Sequence, residues 1–167
     1  MGQVITSQTI AIACADGTVA IMCFVLDDQR GITRDGTDAE IDAEIAKASL
    51  ESPSVSWRRI VEADIPSQRE FRNAWTDHGT HIGFDMPKAR AMHMERLRNG
   101  RNIMLATTDS EMQRATEQGK AQDVAALKAS RQALRDVPAT HAAAIASAAT
   151  VDELRAIDPL GIAKDYA

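Results

Sequence analysis

The sequence predicts an α+β protein: an N-terminal antiparallel β-sheet with one helix, followed by a long-helix α-hairpin and short C-terminal helices. Three observations carry this. Asp16-Gly17 stands between the apolar runs Ile10–Cys14 and Val19–Val25, a strong hairpin signal. Proline and glycine punctuate the front half at short intervals, as short strands and turns require. From Met86 onward apolar residues recur at helical spacing, with Gly119 and Pro138 as the main breaks. The change at Asp85 divides the chain into a β-rich domain, 1–85, and a helical domain, 86–167.

Residues 3–26 supply two β-type runs around Ala15-Asp16-Gly17-Thr18. A two-residue turn at Asp16-Gly17 sets Cys14 opposite Val19, Ile12 opposite Ile21 and Ile10 opposite Cys23, all on one face. Cys14 and Cys23 then share a face but lie roughly 13 Å apart, too far for an internal bridge. They read as free thiols, with an intermolecular disulfide in an assembly as the alternative. The polar stretch Asp27–Thr37, with Gly31 and Gly36, reads as a loop.

Thr37 followed by Glu40 fits a capping box, and Ile41, Ile45 and Leu50 support a helix over 38–50. Its acids Asp38, Glu40, Asp42 and Glu44 read as a solvated outer face, or as a dock for a basic partner. Val55, Trp57, Ile60 and Val61 predict a third strand, and Ser67–Glu70 a single helical turn. Phe71, Trp75, Ile82 and Phe84 flank the polar turn of a second hairpin at Thr76–Thr80. All of these strands are expected in one antiparallel sheet.

Asp85 stands where a helix N-cap belongs, with Pro87 in the first turn, where a missing N–H costs nothing. Met94, Leu97, Met104 and Met112 follow one face of a helix that Gly119 ends. Val124, Leu127 and Leu134 face a second helix, which Pro138 is expected to terminate. The two fold back antiparallel about the Gly119 turn. Thr140–Ala149 predicts a short alanine-rich helix, and the capping box Thr150–Glu153 another, ended by Asp158-Pro159.

The 167 residues carry a net charge of −5, with 44% apolar and only 4% aromatic side chains, so the core is aliphatic. Residues 1–85 hold 7 basic and 14 acidic side chains, a net of −7, and residues 86–167 hold 12 and 10, a net of +2. The opposite signs suit attraction between the halves or between copies in an oligomer. No general nucleic-acid affinity is implied. No apolar window reaches the length of a membrane span, and Gln3 without a basic stretch argues against a secretory signal.

Arg101–Gly119, RNIMLATTDSEMQRATEQG, and Arg131–Pro138, RQALRDVP, resemble the C-terminal region of phage tail assembly chaperone-like proteins. The shared pattern is the Arg101-Asn102 start, the centre Leu105-Ala106-Thr107-Thr108-Asp109 and the Arg131–Pro138 end. Ser110 stands where that pattern carries Trp. With Phe71–Trp75 (FRNAW), Asp85–Arg90 (DMPKAR) and Ala149–Pro159 (ATVDELRAIDP), the longer span looks like a group of prophage proteins of similar length.

The resemblance implies a tailed-phage protein that acts by binding, as a virion component of the tail, neck or collar, or as a transient assembly chaperone. Its expected partners are other phage structural proteins or copies of itself, in particles assembled in the host cytoplasm. The interface candidates are Phe71, Trp75, Met94, Leu97, Arg98, Arg101, Met104 and Met112, with Cys14 and Cys23 as candidate intermolecular thiols. No catalytic motif, cofactor-binding motif or phosphate loop is visible. Asp77, His78, His81 and Asp85 are the nearest approach to a metal-ligand set, and a polar turn accounts for them more simply. The basic residues Lys88, Arg90, Arg96, Arg98 and Arg101 spread over more than one helix face.

Overall fold

Strand β1 (Gln8–Cys14) is central in a three-stranded antiparallel sheet, between β2 (Val19–Phe24) and β5 (Ser54–Ile60). The computed structural model describes residues 8–27, 33–34 and 36–161; expectations for residues 1–7, most of the 28–35 stretch and 162–167 lie outside the described residues. The chain divides into two compact units, Met1–Asp85 and Met86–Ala167.

The β1–β2 turn holds three residues, not two. Cys14 N–H donates to the Thr18 carbonyl and Gly17 N–H to the Cys14 carbonyl, both at 2.9 Å. Gly17 takes φ +78°, the left-handed position that completes a three-residue hairpin loop. Asp16 Oδ1 accepts from the Thr18 amide at 3.0 Å and stabilises that loop. The register moves by one: Ala13 faces Val19, Ile12 faces Ala20, Ala11 faces Ile21 and Thr9 faces Cys23. Cys14 and Cys23 therefore lie on opposite faces of the sheet, which corrects the shared-face expectation.

Both faces of β1 are covered. Ile10, Ile12 and Cys14 pack against Ile41 and Ile45 of α1 (Asp38–Lys47). Ala11 and Val19 pack with Ile60, Trp75 and Ile82 on the other side. Each fully buried isoleucine contributes about 1.5–3 kcal/mol. The capping box of α1 forms as expected: Glu40 N–H donates to Thr37 Oγ1, and Thr37 N–H to Glu40 Oε2.

The acids of α1 do not form a free outer face. Asp42 accepts from Trp57 Nε1 at 2.7 Å, Asp38 accepts from Arg59 at 2.8 Å, and Glu44 pairs with Lys47. With Glu40 in the capping box, the four carboxylates are engaged within their own unit.

The second hairpin, β6 (Trp75–Asp77) and β7 (Ile82–Phe84), forms its own two-stranded sheet and does not extend the first. Phe71 lies in a preceding 3₁₀ segment, Arg69–Ala74, and meets Phe84 edge to face. Between α1 and β2, strands β3 (Leu26–Asp27) and β4 (Thr33–Arg34) form a two-residue ladder where a loop was expected.

In the second unit α2 (Met86–Glu117) runs unbroken through Gly100, turns at Gly119 (φ +67°), and returns as α3 (Ala121–Ser147). At ~1.5 Å per residue these helices are about 48 and 40 Å long. Pro138 lies inside α3 and does not end it, so the separate helix expected over 140–149 is the last part of α3. A proline in a helix forfeits one hydrogen bond and costs roughly 3 kcal/mol. The alanine-rich continuation has the highest helix propensity available, and Ile145 beyond the proline is 3% exposed, so packing holds the helix past the break. The short α4 (Val151–Ala156) completes the unit, with Thr150 Oγ1 accepting from Glu153 N–H.

Candidate functional site

The candidate interface residues separate by burial. Phe71 (1% exposed), Trp75 (4%) and Leu97 (0%) are buried in their units' own cores, and Trp75 also lines a groove beside β2. The burial corrects the reading of Phe71 and Leu97 as interface residues; helical or strand spacing marks an apolar side chain without saying which surface covers it. Met94, Arg101 and Met112 are half-buried, and Arg98 and Met104 are exposed. Next to Met104 stands Ile103, 67% exposed.

Burial in the helical unit concentrates at one end. Ala89, His93 and Leu97 of α2 are buried, as are Ile145, Ala148, Val151 and Leu154. His93 Nε2 hydrogen-bonds the Ile157 carbonyl at 2.9 Å, and Arg90 donates twice to the Ala148 carbonyl, at 2.8 and 3.1 Å. Arg90 thus caps the C-terminus of α3, where a cation is favoured. Burial lowers the pKa of His93, as does the nearby Arg96, against the opposing effects of the Ile157 carbonyl and Asp158. A neutral imidazole with its proton on Nε2 is the form that suits this setting. The histidine is therefore a packing residue.

Across residues 98–144 only Ala115 is buried. Here the two helices are joined by one polar clamp. Arg131 Nη1 donates to Thr108 Oγ1 at 2.8 Å, to Asp109 Oδ1, and more weakly to the Leu105 carbonyl. These residues come from two separate stretches, Leu105–Asp109 of α2 and Arg131–Pro138 of α3. Their contact fixes the register of α2 against α3. Ser110 is exposed beside the clamp.

The basic residues of α2 are dispersed. Arg90 is committed to Ala148, Arg98 lies 3.7 Å from Glu95, and Arg101 donates to Asn102 Oδ1. The arrangement offers no concentrated phosphate-binding face.

At the β6–β7 turn, Asp77 accepts from Arg58 Nε at 3.0 and 3.2 Å and from the Gly79 amide. The His78 and His81 rings stack with centroids 5.0 Å apart. Gly83 makes room for this, since a Cβ there would fall 2.6 Å from the His78 ring. Among the described residues no three His, Cys, Asp or Glu side chains come together to hold a metal ion. Asp77 serves as an ion-pair partner and turn former instead.

The two thiols differ in access. Cys14 is buried and its Sγ points to the Ile12 carbonyl, whereas Cys23 is exposed on β2 near Thr9. Only Cys23 is placed for an intermolecular bond. No helix among the described residues is long and apolar enough to cross a membrane. Compared with protein-family models, curated proteins and solved structures, the chain matches none.

Proposed function

We propose that this chain is a tailed-bacteriophage protein that acts through protein–protein interfaces without catalysis, as a virion-associated component of the tail, neck or collar. The observation that carries the reading is the long helical hairpin. Across residues 98–144 its facing stripe is only half-buried apart from Ala115, and it leaves Ile103 and Met104 on the surface. Such a hairpin gives up its remaining faces to neighbours, and an exposed methionine adapts to an irregular apolar partner. The pattern of Arg101–Asp109 and Arg131–Pro138, resembling phage tail assembly chaperone-like proteins, supports the phage setting and supplies the second reading, a transient tail or tail-fibre assembly chaperone. Partners are other phage structural proteins or further copies of the chain, assembled in the host cytoplasm.

Mass spectrometry of purified particles, with and without reductant, tests this. The virion reading expects the chain in stoichiometric amount, and any cross-linked species lost on reduction traces to Cys23. Absence from particles together with abundance in infected cells selects the chaperone reading. Absence from both overturns the phage assignment.

A further inference from the structure

We propose that the free edge of β2 receives an extended, acidic segment of a partner protein as an added strand. The inference stands apart from the phage reading and rests on the sheet alone. In the order β2-β1-β5, strand β2 has one neighbour among the described residues. The Cys14–Thr18 hydrogen bond makes that a bonded pair, and antiparallel alternation makes Ile12/Ala20 and Ile10/Met22 the next two. Val19, Ile21 and Cys23 therefore turn their N–H and C=O groups away from β1. They have no backbone partner among the described residues.

This edge lacks the usual protection. Val19–Phe24 contains no charged residue and no proline, whereas the opposite edge strand, β5, carries Arg58 and Arg59. Beside β2 runs a groove of about 720 Å³, with Val19 and Ile21 along its length. The stretch Ser49–Ser52 after α1 forms one wall, and Arg69, Arg72 and Trp75 form the other. Two walls admit one extended chain and obstruct the edge of a second folded copy.

Charge selects the occupant's chemistry. Arg69 and Arg72 are exposed, and among the described residues Glu51 is the only acid lining the groove. The Arg69 guanidinium lies 5.6 Å over the Trp75 ring, which holds that charge at the wall. An incoming strand places alternate side chains on one side, roughly 7 Å apart, so two glutamates at i and i+2 reach both guanidiniums. Main-chain bonds to Val19, Ile21 and Cys23 supply affinity and the arginines supply selectivity.

The test titrates the ¹⁵N-labelled full chain with the capped peptide acetyl-Thr-Glu-Val-Glu-Val-Thr-amide and with its counterpart bearing lysine for both glutamates. The expected result is slowed hydrogen exchange at the Val19, Ile21 and Cys23 amides, with a shifted Trp75 indole resonance, for the glutamate peptide only. The double variant Arg69→Gln/Arg72→Gln, altered at exposed side chains, is expected to bind about tenfold more weakly or worse with an otherwise unchanged spectrum. Ile21→Pro removes an outward donor without removing a bond to β1, and is expected to abolish binding while the β1 amides stay protected. Equal binding of both peptides, or no slowing at the three amides, overturns the proposal. So does protection of those amides in the free chain that disappears on dilution, which would assign the edge to a second copy.

Discussion

In Met1–Asp85 a single strand, β1, is buried on both faces, and its partners come from positions far apart in the chain: α1 on one side, Trp75 and Ile82 on the other. In Met86–Ala167 the core closes one end only, where His93 meets Ile157 and Arg90 meets Ala148, and beyond Leu97 each helix of the hairpin only half-buries one stripe. The difference teaches where each unit can interact. The sheet has spent its faces and has only edges to offer, whereas the hairpin has spent one stripe and offers its flanks. It also separates their stabilities, because a core closed from both sides opens as a whole while a hairpin with one stripe opens from its turn.

The largest expected effects come from truncating the two cores. Phe71→Ala in the sheet unit should cost about 3–5 kcal/mol, and Leu154→Ala in the helical unit about 2–5 kcal/mol. Both side chains are fully buried. Residue-resolved native-state hydrogen exchange should show each loss confined to its own unit. Equal acceleration in both units from either change would break the comparison.

A smaller effect sharpens the contrast within the helical unit. Arg131→Met keeps the aliphatic stem and removes the clamp to Thr108, Asp109 and the Leu105 carbonyl. Asp109 is two-thirds exposed while Arg131 is 17% exposed, so most of the loss lies in the hydrogen bonds and little in the ion pair. The expected cost is roughly 1.5–3 kcal/mol. Exchange should quicken along 105–134, while amides around Leu97 and Leu154 keep their protection. Uniform acceleration through Leu154 would mean that the clamp and the end core open as one.

What the sequence disclosed, and what it did not, follows the same division. The capping box at Thr37, the N-cap at Thr150, the Gly119 turn and the start of α2 at Asp85-Met86-Pro87 depend on neighbouring residues, so they were legible; at Thr150 the Glu153 carboxylate accepts from the Ala149 amide, so the second capping box is not completed. The β1–β2 hairpin was legible too, but its register was not. Asp16-Gly17 suits both a two-residue and a three-residue loop, and the choice is made by the left-handed Gly17 and by packing on both faces of β1. Pro138 misled for a related reason: its local cost is real, but Ile145 beyond it is buried, which periodicity within α3 does not reveal. Among the candidate interface residues, Phe71, Trp75 and Leu97 were apolar and well spaced, and periodicity cannot distinguish a stripe that meets its own core from one that meets a partner. The free edge of β2 carried a faint signal, an apolar strand with no charge. Its significance depends on strand order, which spacing does not reveal.

The smallest effect compares one local device in both units. Thr37→Ala and Thr150→Ala each remove a side chain that accepts a hydrogen bond from the amide three residues on, and each should cost about 1 kcal/mol. Their consequences should nevertheless differ. Helix α1 has ten residues, with Ile41 and Ile45 fixed against the sheet, so it can fray by a turn and remain docked. Helix α4 has six, too few to lose a turn and stay helical, and its Glu153 Oε2 also accepts from the Ala149 amide at 2.7 Å. In the Thr150 variant the amides of Val151–Ala156 should therefore exchange together, releasing Val151 and Leu154 from the end core. In the Thr37 variant acceleration should stop before Ile45. If α1 instead opens as a unit, the two-faced burial of β1 does not anchor its helix, and the distinction between a closed sheet core and an open hairpin loses its main support.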